Sequence, residues 1–149
     1  MFYGIKRIFR NLKFWLPVIT KDENFDFYYF EEILLHKLRS MRDYFNSDMS
    51  VCVGSKEIAQ EINEVIELLE KVRADKYEEE IDPAFYNWIN AFIKGQKFFD
   101  LQGNFTSIKF SDAEREKRME IYLQAEKNKK NDIAKAYRLI AENSEKWWD

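Results

Sequence analysis

Little in this chain is built for cross-linking, for turning or for catalysis. A single cysteine, Cys52, excludes an internal disulfide, and its expected role is that of a small apolar filler in a reducing compartment. A single histidine, His36, with no sequence neighbour suggesting a second ligand or a nucleophile, cannot by itself form a zinc site or a catalytic triad, so a structural or surface role is expected. Four glycines and two prolines leave too little punctuation for the many turns of a β-sandwich. There is no Walker loop, no dinucleotide glycine fingerprint and no Cys/His metal spacing, so no cofactor and no enzymatic activity are expected. No stretch reaches the ~18 to 20 apolar residues that span a bilayer, and Lys6, Arg7, Arg10 and Lys13 interrupt the early apolar segment too often for a secretory signal. These absences predict a soluble, cytoplasmic protein with no membrane partner.

What is abundant is aromatic and charged. Aromatic residues make up 17% and charged residues 34% of 149 residues, a length that suits one domain and a ring-rich core. The net charge of −3 is unevenly spread. Residues 1–20 carry four bases and no acid, whereas residues 55–82 carry ten acids and four bases. The sequence closes on Trp147-Trp148-Asp149, and adjacent tryptophans are costly unless covered, so both ends are expected to join one packed unit with Trp15.

Helical periodicity runs through most of the chain. Ile5, Ile8, Leu12 and Trp15 predict a first amphipathic helix that Pro17 ends. Phe27, Phe30, Leu34, Leu38, Met41 and Phe45 predict a second over residues 25–45, capped by Asn24 or Asp22. From Ser55, the row Ile58, Ile62, Val65, Leu69 and Val72 predicts a third, with Glu67 and Lys71 pairing one turn apart. Asp82-Pro83 is a cap followed by proline at the first helical position, and the helix it opens carries an aromatic face of Phe85, Trp88 and Phe92. Gly103-Asn104 among Phe105, Ile108 and Phe110 predicts a small hairpin or an extended loop near 101–110. Ser111-Asp112-Ala113-Glu114 has the capping-box form and starts a fifth helix. Ile133, Tyr137, Ile140 and Trp147 define a last one, with the charged run 126–131 either ending the fifth or continuing it. The reading is a mainly α, single-domain bundle of about five or six helices over residues 1–149.

Three stretches carry a resemblance. Lys13-Phe14-Trp15 with Lys21-Asp22 and Phe25-Asp26-Phe27-Tyr28, then Leu34-Leu35, Lys37-Leu38 and residues 41–45, and finally Asn131-Asp132-Ile133 through Trp147-Trp148-Asp149 resemble a family of small tailed-bacteriophage and prophage proteins that end in Trp-Trp-Asp. The resemblance implies an origin, and with it a bacterial host cytoplasm, but no mechanism. Residues 82–110 lie outside it.

Two surfaces are candidates for contact. The acidic residues Glu64, Glu67, Glu78, Glu79 and Glu80 suit a basic protein partner, to which they present a phosphate-like surface. The basic residues Lys6, Arg7, Arg10, Lys13, Lys127, Lys129 and Lys130 suit nucleic-acid phosphates, with Phe9, Phe14 and Trp15 available for stacking. For the basic tracts a solvated helix face ranks first, a nucleic-acid surface second and a membrane surface last. The acidic cluster Asp22, Glu23, Asp26, Glu31 and Glu32 is expected to be a cap and a solvated helix face, because Glu31 and Glu32 point about 100° apart on a helix. The leading expectation is a phage accessory protein that binds a host or phage protein, acting by analogy as a stoichiometric inhibitor of a defence or nucleic-acid-processing system. A nucleic-acid-binding phage regulator and a virion or assembly component are the alternatives.

Overall fold

The computed structural model describes residues 2–20, 27–95 and 110–148, the side chains of residues 2, 3, 27, 28 and 148 apart. Among these residues the fold is mainly α, with six helices and no strand: α1 (Phe2–Ile19), α2 (Phe27–Asn46), α3 (Ser55–Ala74), α4 (Tyr77–Ile81), α5 (Pro83–Gly95) and α6 (Asp112–Trp148). The hairpin expected near 101–110, the cap at Asp22 or Asn24 and the acids Asp22, Glu23 and Asp26 lie outside the described residues. The chain, expected to form one domain, divides into two compact units, Met1–Leu69 with Leu139–Asp149, and Glu70–Arg138.

The first unit holds both chain ends. Its core is the face of α3 expected from periodicity, where Ile62, Val65 and Leu69 are fully buried and Ile58 nearly so, joined by Leu35, Leu38, Met41 and Phe45 of α2. Each such side chain contributes roughly 1.5 to 3 kcal/mol of apolar burial. Arg42 on α2 donates Nη1–H to Asn63 Oδ1 on α3 at 3.2 Å. Trp147, only 3% exposed, is fixed by its indole N–H, which Glu61 Oε2 accepts at 3.2 Å, while Lys146 Nζ reaches Glu61 Oε1 at 2.6 Å. The turn before α3 needs Gly54, whose φ of +77° is left-handed, and its carbonyl accepts the Ile58 N–H at 3.0 Å.

Pro17 does not end α1, which continues to Ile19. The proline lies in the last turn, so it removes only the bond to the carbonyl of Lys13, an exposed residue. The next carbonyl, that of Phe14, receives the His36 Nε2–H at 2.8 Å. A carbonyl only accepts, so this contact fixes the protonated nitrogen of His36. Phe14 and Trp15 also lie against the imidazole, with centroids 4.3 and 5.5 Å from it. His36 therefore has the expected structural role, as the joint between α1 and α2.

Two further corrections concern α2 and α3. The buried row of α2 is Glu31, Leu35, Leu38, Met41 and Phe45; Phe30, expected inside, is 55% exposed, and Leu34 is only half-buried. Ile33-Leu34-Leu35 offers two overlapping apolar rows, and the helix buries the later one. Glu31, expected in solvent, sits on that row. Glu67 does not pair with Lys71. It accepts from Asn63 Nδ2 at 2.6 Å, while Lys71 turns to Glu80 and Asp132 at 3.3 and 3.1 Å.

In the second unit, α5 begins as its sequence predicts, with Asp82 Oδ1 accepting the Phe85 N–H at 2.9 Å. Its aromatic face forms a row of Phe85, Trp88, Phe92 and then Phe110, with centroid separations of 5.3 to 5.5 Å. Lys117 lies 4.6 Å over Phe85, and Arg118 5.7 Å over Phe110. The capping box at Ser111 is complete. Glu114 Oε2 accepts Ser111 N–H at 2.7 Å, and Ser111 Oγ accepts Glu114 N–H at 3.3 Å. The two last helices expected from sequence are one helix of 37 residues, because the charged run 126–131 has neither proline nor glycine and continues the backbone ladder.

Candidate functional site

Within the second unit, the end of α3 and the helices α4, α5 and α6 enclose a cleft of about 250 Å³. Its construction begins at Asp75, which leaves α3 in the left-handed region with φ of 49°, a conformation that aspartate tolerates better than most residues. That turn admits the five-residue helix α4, unforeseen in the sequence, where Glu78-Glu79-Glu80 reads as a charged loop. Acids in a first helical turn are favourable against the backbone dipole. The buried Tyr77 then anchors α4 by donating its hydroxyl proton to Asp132 Oδ2 on α6 at 2.9 Å. Lys71 closes the anchor, bridging Glu80 and Asp132 and lying 4.9 Å over the Tyr77 ring. Burial first, then the bond to Asp132, pushes the Tyr77 hydroxyl well above its ordinary value of 10.0, and the same aspartate raises Lys71.

Three carboxylates, Asp75, Glu78 and Glu126, three tyrosines, Tyr77, Tyr86 and Tyr122, and one ammonium, Lys129, line this cleft. Lys129 is committed to Asp75 at 2.9 Å. Glu78 and Glu126 enter no ion pair among the described residues, which leaves the cleft with acidic capacity beside aromatic rings. Outside it, Tyr122 continues into an exposed apolar row with Met119 and Leu123, all three between 47 and 59% exposed.

The acidic residues singled out in the sequence thus have distinct settings. Glu78 lines the cleft, Glu79 is half-buried and does not line it, and Glu80 is held by Lys71. Glu64 and Glu67 belong to the first unit, on a shallow recess with Arg42 and Asn63. The basic residues divide as well: Lys127 and Lys130 are exposed on α6, and Lys129 is paired, whereas Lys6, Arg7, Arg10 and Lys13 are exposed on α1 and form no ion pair among the described residues. Sequence reasoning passes over Asp75, Tyr86, Tyr122 and Glu126. The available signal was the i, i+4 pair Tyr122 and Glu126, which places a ring and a carboxylate on one face of α6.

The first unit has a larger recess, about 460 Å³, lined by Met41, Phe45 and Trp147 with Cys52 at its edge. It is apolar apart from Lys37, Ser40 and the Tyr44 hydroxyl and gathers no set of reactive groups. Among the described residues, no group of three or more His, Cys, Asp or Glu side chains is placed to hold a metal ion, and no helix is long and apolar enough to cross a membrane. No family model, no curated protein and no solved structure matches this chain.

Proposed function

We propose that this chain is a phage accessory protein that binds another protein in the infected bacterial cell, and that it offers the acidic, tyrosine-lined cleft of its second unit to a basic side chain of that partner. The observation that carries the reading is the pair Glu78 and Glu126, two carboxylates set among tyrosine rings that enter no ion pair among the described residues. A guanidinium or ammonium entering there gains a carboxylate and a ring face together. The exposed Met119, Tyr122 and Leu123 supply the apolar rim from which interface hot spots are built. Proteins that handle nucleic acids expose such basic side chains, and occupying them is how a small acidic protein blocks a larger one. Inhibition of a host defence or nucleic-acid-processing system is the form this binding takes by analogy with other small phage proteins.

Affinity capture from infected cells, read by mass spectrometry, tests the reading. Glu78→Lys with Glu126→Lys should abolish the captured partner while circular dichroism is unchanged, and Tyr122→Ala should weaken capture by about 2 kcal/mol. Equal capture by the doubly reversed variant and the wild type would remove the cleft from consideration. The nucleic-acid reading is favoured by one observation, the bases of α1, which form no ion pair among the described residues. A salt-sensitive mobility shift lost on replacing Lys6, Arg10 and Lys13 would put it first.

A further inference from the structure

The helix α1 has three longitudinal strips, and among the described residues only one of them packs against another helix. Phe14, Trp15 and Val18 face α2, with Val18 buried and the two rings half-buried around His36. A second strip, Ile5, Phe9, Leu12, Leu16 and Ile19, repeats at spacings of four and three and is 47 to 67% exposed along its whole length, with Ile8 beside it. A third follows the second residue by residue: Lys6 after Ile5, Arg10 after Phe9, Lys13 after Leu12, each one helical step, about 100°, further round. These bases meet no acid on α1 and form no ion pair among the described residues.

We infer that α1 is an interfacial helix that seats the first unit on an anionic lipid surface, its apolar strip at the acyl boundary and Lys6, Arg10 and Lys13 among the headgroup phosphates. Exposed apolar side chains alone do not single out α1, since Met49, Val51 and Val53 are also exposed in the loop after α2. What singles it out is the coincidence of an unbroken apolar strip with a basic strip on its flank, the arrangement of helices that lie in a membrane plane. A second copy of the chain is a poor occupant, because two such faces would bring six bases together without an acid. A hydrophobic protein groove also takes an apolar helix face, and the vesicle experiment below separates it from lipid. Lying in the plane does not require the length to span it, so the absence of a membrane-crossing helix among the described residues leaves this geometry open. The inference is independent of the cleft in the second unit and shares no residue with it.

Flotation of the full chain with phosphatidylcholine vesicles, with and without phosphatidylglycerol, tests it at low salt. The wild type should float with the anionic vesicles and remain below with the neutral ones. Ile8→Glu with Leu12→Glu, both at exposed positions and so compatible with folding by circular dichroism, should abolish flotation. Each base contributes roughly fivefold to partition onto an anionic surface, so Lys6→Gln, Arg10→Gln and Lys13→Gln together should weaken it about a hundredfold. No flotation of the wild type with either vesicle, equal flotation with both, or retained flotation of the apolar double variant would each overturn the assignment. If the wild type ignored vesicles while the apolar double variant lost a captured protein, the strip would belong to a protein groove. Failure here leaves the Glu78 and Glu126 test untouched, and the reverse also holds.

Discussion

Helices α1 and α3 are written in the same spacing and finish in opposite surroundings. In α3 the apolar row of Ile58, Ile62, Val65, Leu69 and Val72 is buried throughout; in α1 the row of Ile5, Phe9, Leu12, Leu16 and Ile19 is exposed throughout. Their polar sides differ too. α3 spends Glu61 on Lys146 and Trp147, and Asn63 on Arg42 and Glu67, so its polar edges tie other helices to it. The bases of α1 tie nothing among the described residues. Periodicity therefore reports that a face exists. Which face the fold consumes is decided by partners elsewhere in the chain, and in α1 the consumed face is the short set Phe14, Trp15 and Val18.

The largest test of this contrast is a pair of truncations. Ile62→Ala, at a fully buried position, should cost about 2 to 5 kcal/mol, whereas Leu12→Ala should stay within roughly 0.5 kcal/mol. Chemical denaturation midpoints with unchanged slopes measure both. A cost for Leu12→Ala approaching that of Ile62→Ala would mean the α1 row is covered in solution and would dissolve the comparison.

A smaller effect sharpens it. If α1 is held mainly through its joint with α2, His36→Ala should leave the Phe14 carbonyl without its donor at a cost of about 1 kcal/mol, the lower end for a part-buried group. The loss should be local. Amide exchange in α1 should quicken while the amides of α3 between Ile62 and Leu69 keep their protection. Equal acceleration in both helices would show that α1 and α3 open as one unit, contrary to the difference in their burial.

The parts of the fold that were legible in the sequence are those where one local signal has one outcome. The α3 row, the Asp82 cap, the Ser111 capping box and the burial of Trp147 each follow from residues within a turn or two, or from an apolar cost with one remedy. Illegible features depend on competition. Pro17 is tolerated because it falls in the last turn, where the one carbonyl it frees, that of Lys13, belongs to an exposed residue. The α2 face is set by which of two overlapping rows meets α3. Lys71 has Glu67 one turn away and chooses Asp132 and Glu80, since there it also covers the Tyr77 ring. The candidate cleft was half legible: Glu78 stood in an acidic run, but Tyr86, Tyr122 and Glu126 are assembled with it only by the turn at Asp75 and the anchor of Tyr77.

The smallest expected effect probes the polar edge of α3, where a charge holds the end of α6. Lys146 first, and then the Trp147 indole, keep the Glu61 carboxyl below its ordinary value of 4.5, with partial burial opposing them. A carboxylate lowered in the folded state contributes stability that is present above about pH 4.5 and is lost as the pH falls through its lowered folded value. Glu61→Gln should therefore be less stable than the wild type at neutral pH, and the gap should close on acidification, because glutamine can still accept the Trp147 N–H and lacks only the charge. Both partners are substantially exposed, at 50% for Lys146 and 35% for Glu61, so solvent screening limits the gap to below about 1 kcal/mol. On α1, Lys6→Gln should show no such gap, since its ammonium meets no acid among the described residues. A pH-independent gap for Glu61→Gln would mean that the contact works through shape and hydrogen bonding alone, and a gap for Lys6→Gln would reveal an acid partner for α1 that its exposed basic strip does not have among the described residues.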